Sequence, residues 1–174
     1  MRRNVLLTGR PGVGKSTVIQ RALELADVEA GGFFTQQLQE DGKRVGFGIT
    51  TLDGERGILA HVDIQGQPRV SKYGVNVEDI RDVAVAALRR ALEDAQVIVC
   101  DEIASMEMKC PQFEPAVREA LESRKPLLGT IQQRSDPFLD EVRSRDDVTI
   151  VEVTRASRDA LPQQIAAWID EVAC

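Results

Sequence analysis

The sequence predicts an α/β fold: a mainly parallel sheet with helices on both faces, carrying an antiparallel β-meander inserted after the first helix. Three observations support this expectation. Short apolar runs that read as buried strands alternate with stretches whose apolar residues recur at helical spacing. The first run, Asn4-Val5-Leu6-Leu7-Thr8, meets the first helical stretch through Gly9-Arg10-Pro11-Gly12-Val13-Gly14-Lys15-Ser16. A later run, Val97-Ile98-Val99-Cys100, ends in Asp101-Glu102.

The glycine-rich segment fits G-x-x-x-x-G-K-[ST], the phosphate-binding loop known as Walker A, and its strand–helix setting is the one that motif requires. A polyphosphate needs several N–H groups converging on it, which the glycines permit, and a helix N-terminus adds the positive end of its dipole. Gly9, Arg10, Pro11, Gly12, Val13 and Gly14 are thus expected to wrap a nucleotide's phosphates. Lys15 would neutralise the β- and γ-phosphates, Ser16 would ligate Mg²⁺, and Thr17 would approach the α-phosphate.

The helix after the loop carries Val18, Ile19, Ala22, Leu23 and Ala26 and should end near Asp27. Residues 33–38 and 44–52 read as strands joined by an Asp41-Gly42 hairpin turn. A second turn at Asp53-Gly54 leads into a strand from Ile58 to Val62, completing a meander over about 32–63. The only histidine, His61, reads as a polar residue on the outer face of that strand, and Lys72-Tyr73 as part of a loop. Asn76 has the character of an N-cap, followed by a stripe of Ile80, Val83, Ala84, Ala87, Leu88 and Ala91.

The strand ending in Asp101-Glu102 has the Walker B form. It places two acids at the carboxyl edge of a parallel sheet, where ligands bind in α/β folds. Asp101 is expected to hold Mg²⁺, and Glu102 to orient a water and accept its proton. A helix bearing Phe113, Ala116, Val117, Ala120 and Leu121 and a strand over 126–131 follow. Asp136-Pro137 begins a short helix, 148–153 is the last strand, and Leu161, Ile165, Trp168 and Ile169 stripe the last helix, with Trp168 in or near the core.

Arg134, after the 126–131 strand, and Arg158, after the last strand, are each read as a cation for the transferring phosphate or the base region, or else as a surface ion pair. Arg143 and Arg145 read as solvated helix residues, and Arg2, Arg3, Arg10 and Lys15 as positive charge gathered beside the loop.

At 174 residues, with 43% hydrophobic and 29% charged residues, the chain suits one domain over 1–174 with a sizeable core. Its net charge of −6 argues against a nucleic-acid or anionic-membrane partner, and no protein partner can be inferred. No stretch has the form of a signal peptide or membrane span. Cys100, Cys110 and Cys174 lack metal-ligand spacing, so a reducing cytoplasm is the expected setting.

No N-K-x-D for guanine occurs, and Asp-Glu stands in place of D-x-x-G, which argues against a guanine-selective switch. A glutamate adjacent to the Walker B aspartate favours attack by water. A nucleotide or small-molecule kinase stays open, with an acceptor pocket formed by the meander or the 104–115 loop. So does a non-enzymatic module whose partners sense the bound nucleotide.

Over nearly its whole length the chain resembles the P-loop nucleoside-triphosphatases of thermophiles and the human cancer-related enzyme. The likeness rests on TGRPGVGKST, GGFFTQQLQEDGKRVGFGI, TLDGERGILAHVD, SKYGVNVE, IVCDEIASME and VTRASRD. It implies a P-loop α/β fold and slow Mg²⁺-dependent hydrolysis of ATP, GTP and other triphosphates to diphosphate and phosphate, with Lys15, Ser16, Asp101 and Glu102 in the roles above. The family commonly has Gly-Lys where this chain has Ala104-Ser105, so that lysine's role is vacant here or passes to Lys109. The family's usual Asn before Arg-Asp is Ser157.

Overall fold

The computed structural model describes residues 1–173. Among these residues nine strands form a single sheet in the order β5-β6-β4-β3-β2-β7-β8-β1-β9. Five of them make the parallel core: β2 (Ala30–Glu40), β7 (Val97–Ile103), β8 (Leu127–Ile131), β1 (Asn4–Thr8) and β9 (Val148–Glu152). The antiparallel half adds β3 (Lys43–Thr51), β4 (Arg56–His61), β5 (Arg69–Val70) and β6 (Tyr73–Val75).

Successive residues of a strand face opposite sides of a sheet, so a strand covered on both sides is apolar throughout. Val5 and Leu7 join one core with Val97, Val99 and Leu128, whereas Leu6, Ile98, Cys100 and Leu127 join the other. The first core is closed by α1 (Lys15–Ala26) and α6 (Leu161–Val172), through Val18, Ile19, Ile165 and Trp168. Trp168 is 3% exposed and its indole N–H donates to Arg2 O at 2.6 Å, so its one polar atom is satisfied within the core.

The second core lies under a helix that begins as α2 (Val77–Asp79) and continues, through a π-helical stretch at Ile80–Val85, as α3 (Ala86–Asp94). The Asn76 side chain caps it by accepting from Asp79 N at 3.0 Å. Completing this face are α4 (Phe113–Glu122) and α5 (Pro137–Arg143), the latter capped by Asp136, which accepts from Phe138 N at 2.9 Å.

The inserted meander is continuous with the core sheet, because Ala30–Phe33 pair in parallel with β7 while the rest of β2 pairs antiparallel with β3. One expectation changes here. Where Lys72-Tyr73 was expected in a loop, Tyr73 is buried in β6; strands of two and three residues are too short to show a hydrophobic period. His61 ends β4 half-buried, its Nδ1 accepting from Asp63 N at 3.1 Å. Cys100 and Cys110 are buried free thiols, and Cys174 lies outside the described residues.

Candidate active site

Thr8 ends β1, and the chain turns through the glycine-rich segment into α1, whose first residue is Lys15. Gly9 has φ +149°, and a Cβ there would lie 2.7 Å from Val153 O, so this position has no room for a side chain. Lys15 Nζ donates to Gly9 O at 2.8 Å, which folds the ammonium back over the loop.

Asp101 arrives from β7, two strands away across β8. It is 3% exposed and held from both sides: Ser16 Oγ lies 2.5 Å from Oδ2, and Thr130 Oγ1 donates to Oδ1 at 2.7 Å. Thr130, from β8 between them, was not singled out by sequence; a threonine within an apolar strand carries no signal except its place near the strand's carboxyl end. Burial raises the Asp101 carboxyl, opposed by the two hydroxyls and by Lys15.

Glu102 is half-buried in the same cleft. Burial pushes its carboxyl up to about 7; the Lys15 charge pulls the other way, and Asp101 adds to the rise. The two acids fall inside β7, which runs on to Ile103 instead of stopping at Cys100, and the pairing with β8 shifts register there. Both carboxyls line one cleft, although neighbouring residues of a regular strand point to opposite faces.

The cleft is about 340 Å³. One wall is Pro11, Gly12, Lys15, Ser16, Asp101 and Glu102; the other is built from the meander and the 104–107 segment. Ser105, where the resembled family commonly has a lysine, stands in this wall with its N–H donating to Gln132 Oε1 at 3.1 Å. Lys109 is exposed and does not line the cleft.

Arg158 Nη1 donates to Val13 O at 3.3 Å. It lines a second cleft of about 240 Å³ with Gly12, Gly14, Thr17 and Arg21, directly behind the loop. Ser157 is occupied locally, in reciprocal hydrogen bonds with Thr154 at 3.0 and 3.1 Å. Arg134 lies elsewhere, in a cleft of about 330 Å³ with Thr8, Ser135, Asp140 and Arg143. Among the described residues neither Arg134 nor Arg158 forms an ion pair.

Other expected cations are differently placed. Arg143 is no solvated helix residue, since it donates to Gln132 O at 2.8 Å and pairs with Asp140 at 2.8 Å. Arg145 lies beyond α5, paired with Asp147 at 2.8 Å. Arg2 and Arg3 precede β1, and the strand's five residues put them about 16 Å from the loop; Arg3 pairs with Asp147 at 2.7 Å.

A glycine loop at the end of a central parallel strand, and an acid from a non-neighbouring strand bonded to the loop's serine, define a P-loop α/β protein. The chain belongs to the NTPase family, whose model matches residues 4–166. It is 44% identical over 161 residues to the nucleoside-triphosphatase THEP1 of Thermotoga sp. strain RQ2, covering 92% of each chain. The crystal structure of THEP1 from Aquifex aeolicus superposes with a TM-score of 0.87 at 29% identity, covering 96% of this chain and 99% of that one. For the solution structure of a human cancer-related nucleoside triphosphatase the TM-score is 0.81 at 36% identity, over 97% and 98% of the two chains.

Proposed function

We propose that the protein is a Mg²⁺-dependent nucleoside-triphosphatase that cleaves the β–γ bond of ATP, GTP and other triphosphates, giving diphosphate and phosphate. The observation that carries the reading is the Ser16–Asp101 contact of 2.5 Å, which joins the phosphate loop to the acid strand with Lys15 and Glu102 lining the same cleft. Relatives named nucleoside-triphosphatase over nearly the full length support it.

The donor set suits Mg²⁺. Ser16 and Asp101 offer hard oxygen ligands, and among the described residues no group of three or more His, Cys, Asp or Glu forms a cage. A magnesium held by one or two protein oxygens and the substrate's phosphates needs no more, and it supplies charge neutralisation on the phosphate oxygens. Gly12 and Gly14 present backbone to the phosphates, and Lys15 leaves Gly9 O to meet the β- and γ-oxygens. Glu102 orients the water and takes its proton, for which a carboxyl near 7 is well matched to neutral pH.

Arg158, Thr17 and Gly14 bound the cleft on the far side of the loop, which supports seating the nucleoside and α-phosphate there. The sequence carries no guanine-selective N-K-x-D, which accords with the proposed broad base tolerance. Arg134 would act on the transferring phosphate only if the 133–135 segment moved from its separate cleft. Two buried free thiols accord with a reducing, cytoplasmic setting, and among the described residues no helix is long and apolar enough to cross a membrane.

Phosphate release with ATP, GTP, CTP and UTP, with and without Mg²⁺, tests this directly. Release is expected with all four and only with the metal, falling at least about 100-fold in Glu102→Gln. Unchanged turnover in that variant would remove Glu102 from the mechanism.

A further inference from the structure

The cleft of about 340 Å³ that holds Lys15 and Glu102 extends past the residues assigned to phosphate and metal, into a lobe lined by side chains that hydrolysis does not use. Its outer wall comes from the antiparallel half of the sheet: Gln37 of β2, Arg44 and Phe47 of β3, and Leu59 of β4. The 104–107 segment closes it with Met106 and Glu107.

Glu107 gives this lobe its chemistry. It is 2% exposed, it lines the cleft, and its Oε2 has no hydrogen-bond partner. A buried carboxyl oxygen without a partner costs about 1–3 kcal/mol, and a ligand hydroxyl, which can donate or accept, would satisfy it in either protonation state. Burial, with the Glu102 charge nearby, holds the Glu107 carboxyl well above its usual range. Arg44 supplies the opposite sign. Its guanidinium stands 5.1 Å from the Phe47 ring centroid and 5.8 Å from that of Tyr73, with Nε donating to Tyr73 Oη at 2.9 Å. Among the described residues Arg44 has no carboxylate partner.

We infer that this lobe binds a small hydroxylated anion, its hydroxyl on Glu107 and its acidic group on Arg44, as a phosphoryl acceptor for the nucleotide seated on the loop. The inference rests on the nucleotide seat proposed above and replaces water by an alcohol. The acceptor oxygen bonds to the γ-phosphorus as the bond from that phosphorus to the β–γ bridging oxygen breaks. The diphosphate leaves with the electron pair, and the hydroxyl proton passes to the Glu102 carboxylate. A phosphomonoester and a nucleoside diphosphate result, and water competes whenever the lobe is empty.

The test uses the full chain with Mg²⁺ and γ-labelled ATP, in the presence of D-glycerate, glycerol 3-phosphate, or glycerol as the uncharged control. The ratio of labelled phosphomonoester to labelled inorganic phosphate is internal to each reaction, so it does not depend on how much of a variant is folded. With at least one of the two anions the ratio should rise saturably, to about tenfold or more above glycerol. Glu107→Gln and Arg44→Ala should each lower it about tenfold. Label found only in inorganic phosphate with both anions, or a ratio indifferent to both substitutions, overturns the inference and leaves hydrolysis standing. Failure to bind MgATP at all would remove the seat on which both readings depend.

Discussion

Glu102 shows how one residue couples the site to stability. Its folded carboxyl titrates near 7 against an ordinary 4.5, so between those values the folded chain holds a proton that the unfolded chain has released. Unfolding then releases a proton, and the stability contributed by this group falls as pH rises through that window. Glu102→Gln cannot ionise and escapes the loss. Relative to wild type, the variant should gain about 2 kcal/mol between pH 5 and pH 8, read from urea midpoints at the two values. A difference that stays flat with pH would show that Glu102 ionises in the folded state as freely as in the unfolded chain.

The residues of the site differ in how far sequence could reveal them. Lys15 and Ser16 stand in a motif whose spacing is itself the mechanism, and Asp101-Glu102 follow an apolar run that ends at a sheet edge. Thr130 and Glu107 have no such spacing. Each became part of the site because a neighbouring segment brought it there: β8 between β1 and β7 for Thr130, and the short 3₁₀ turn Glu107–Lys109 for Glu107.

At the scale of elements, β2 does two jobs. Its first residues complete the parallel core against β7, and the rest begin the meander that walls the cleft. Gly32 sits at that junction with φ +116°, and a Cβ there would lie 1.9 Å from Val99 O. Neither the angle nor the space admits a side chain. Gly32→Ala should therefore destabilise the protein by about 3 kcal/mol or more, measured by urea denaturation. A loss below about 1 kcal/mol would mean that β2 and β7 separate there at little cost. The Gly31-Gly32 pair marks the start of the β-rich stretch in sequence, but its close approach to β7 involves a partner more than sixty residues away.

Across the whole molecule, order should grade from one side of the sheet to the other. β1, β7 and β8 are flanked by strands and covered by helices on both faces, whereas β5 is an edge strand of two residues paired only with β6. In native-state hydrogen exchange the amides of Leu6, Val99 and Leu128 should exchange only through global opening. Those of Val70 and Tyr73 should open at least about 2 kcal/mol more readily. Equal protection across the sheet would contradict this gradient. The gradient bears on function, because β5 reaches the outer wall of the cleft through Val70 while the glycine loop and acids stand on the rigid core.

The sequence alone determined the α/β class, the phosphate loop, the acid pair, the hairpin at Asp41-Gly42 and the caps at Asn76 and Asp136, all features written in a few adjacent residues or a short period. Tertiary structure decided which strand lies between β1 and β7, which arginine stands at the loop, and that Glu107 is buried in the same cleft as Glu102. Those outcomes depend on strand order and on close approach between distant segments. Local spacing encodes the conformation of a segment, whereas the packing of the whole chain selects its neighbours.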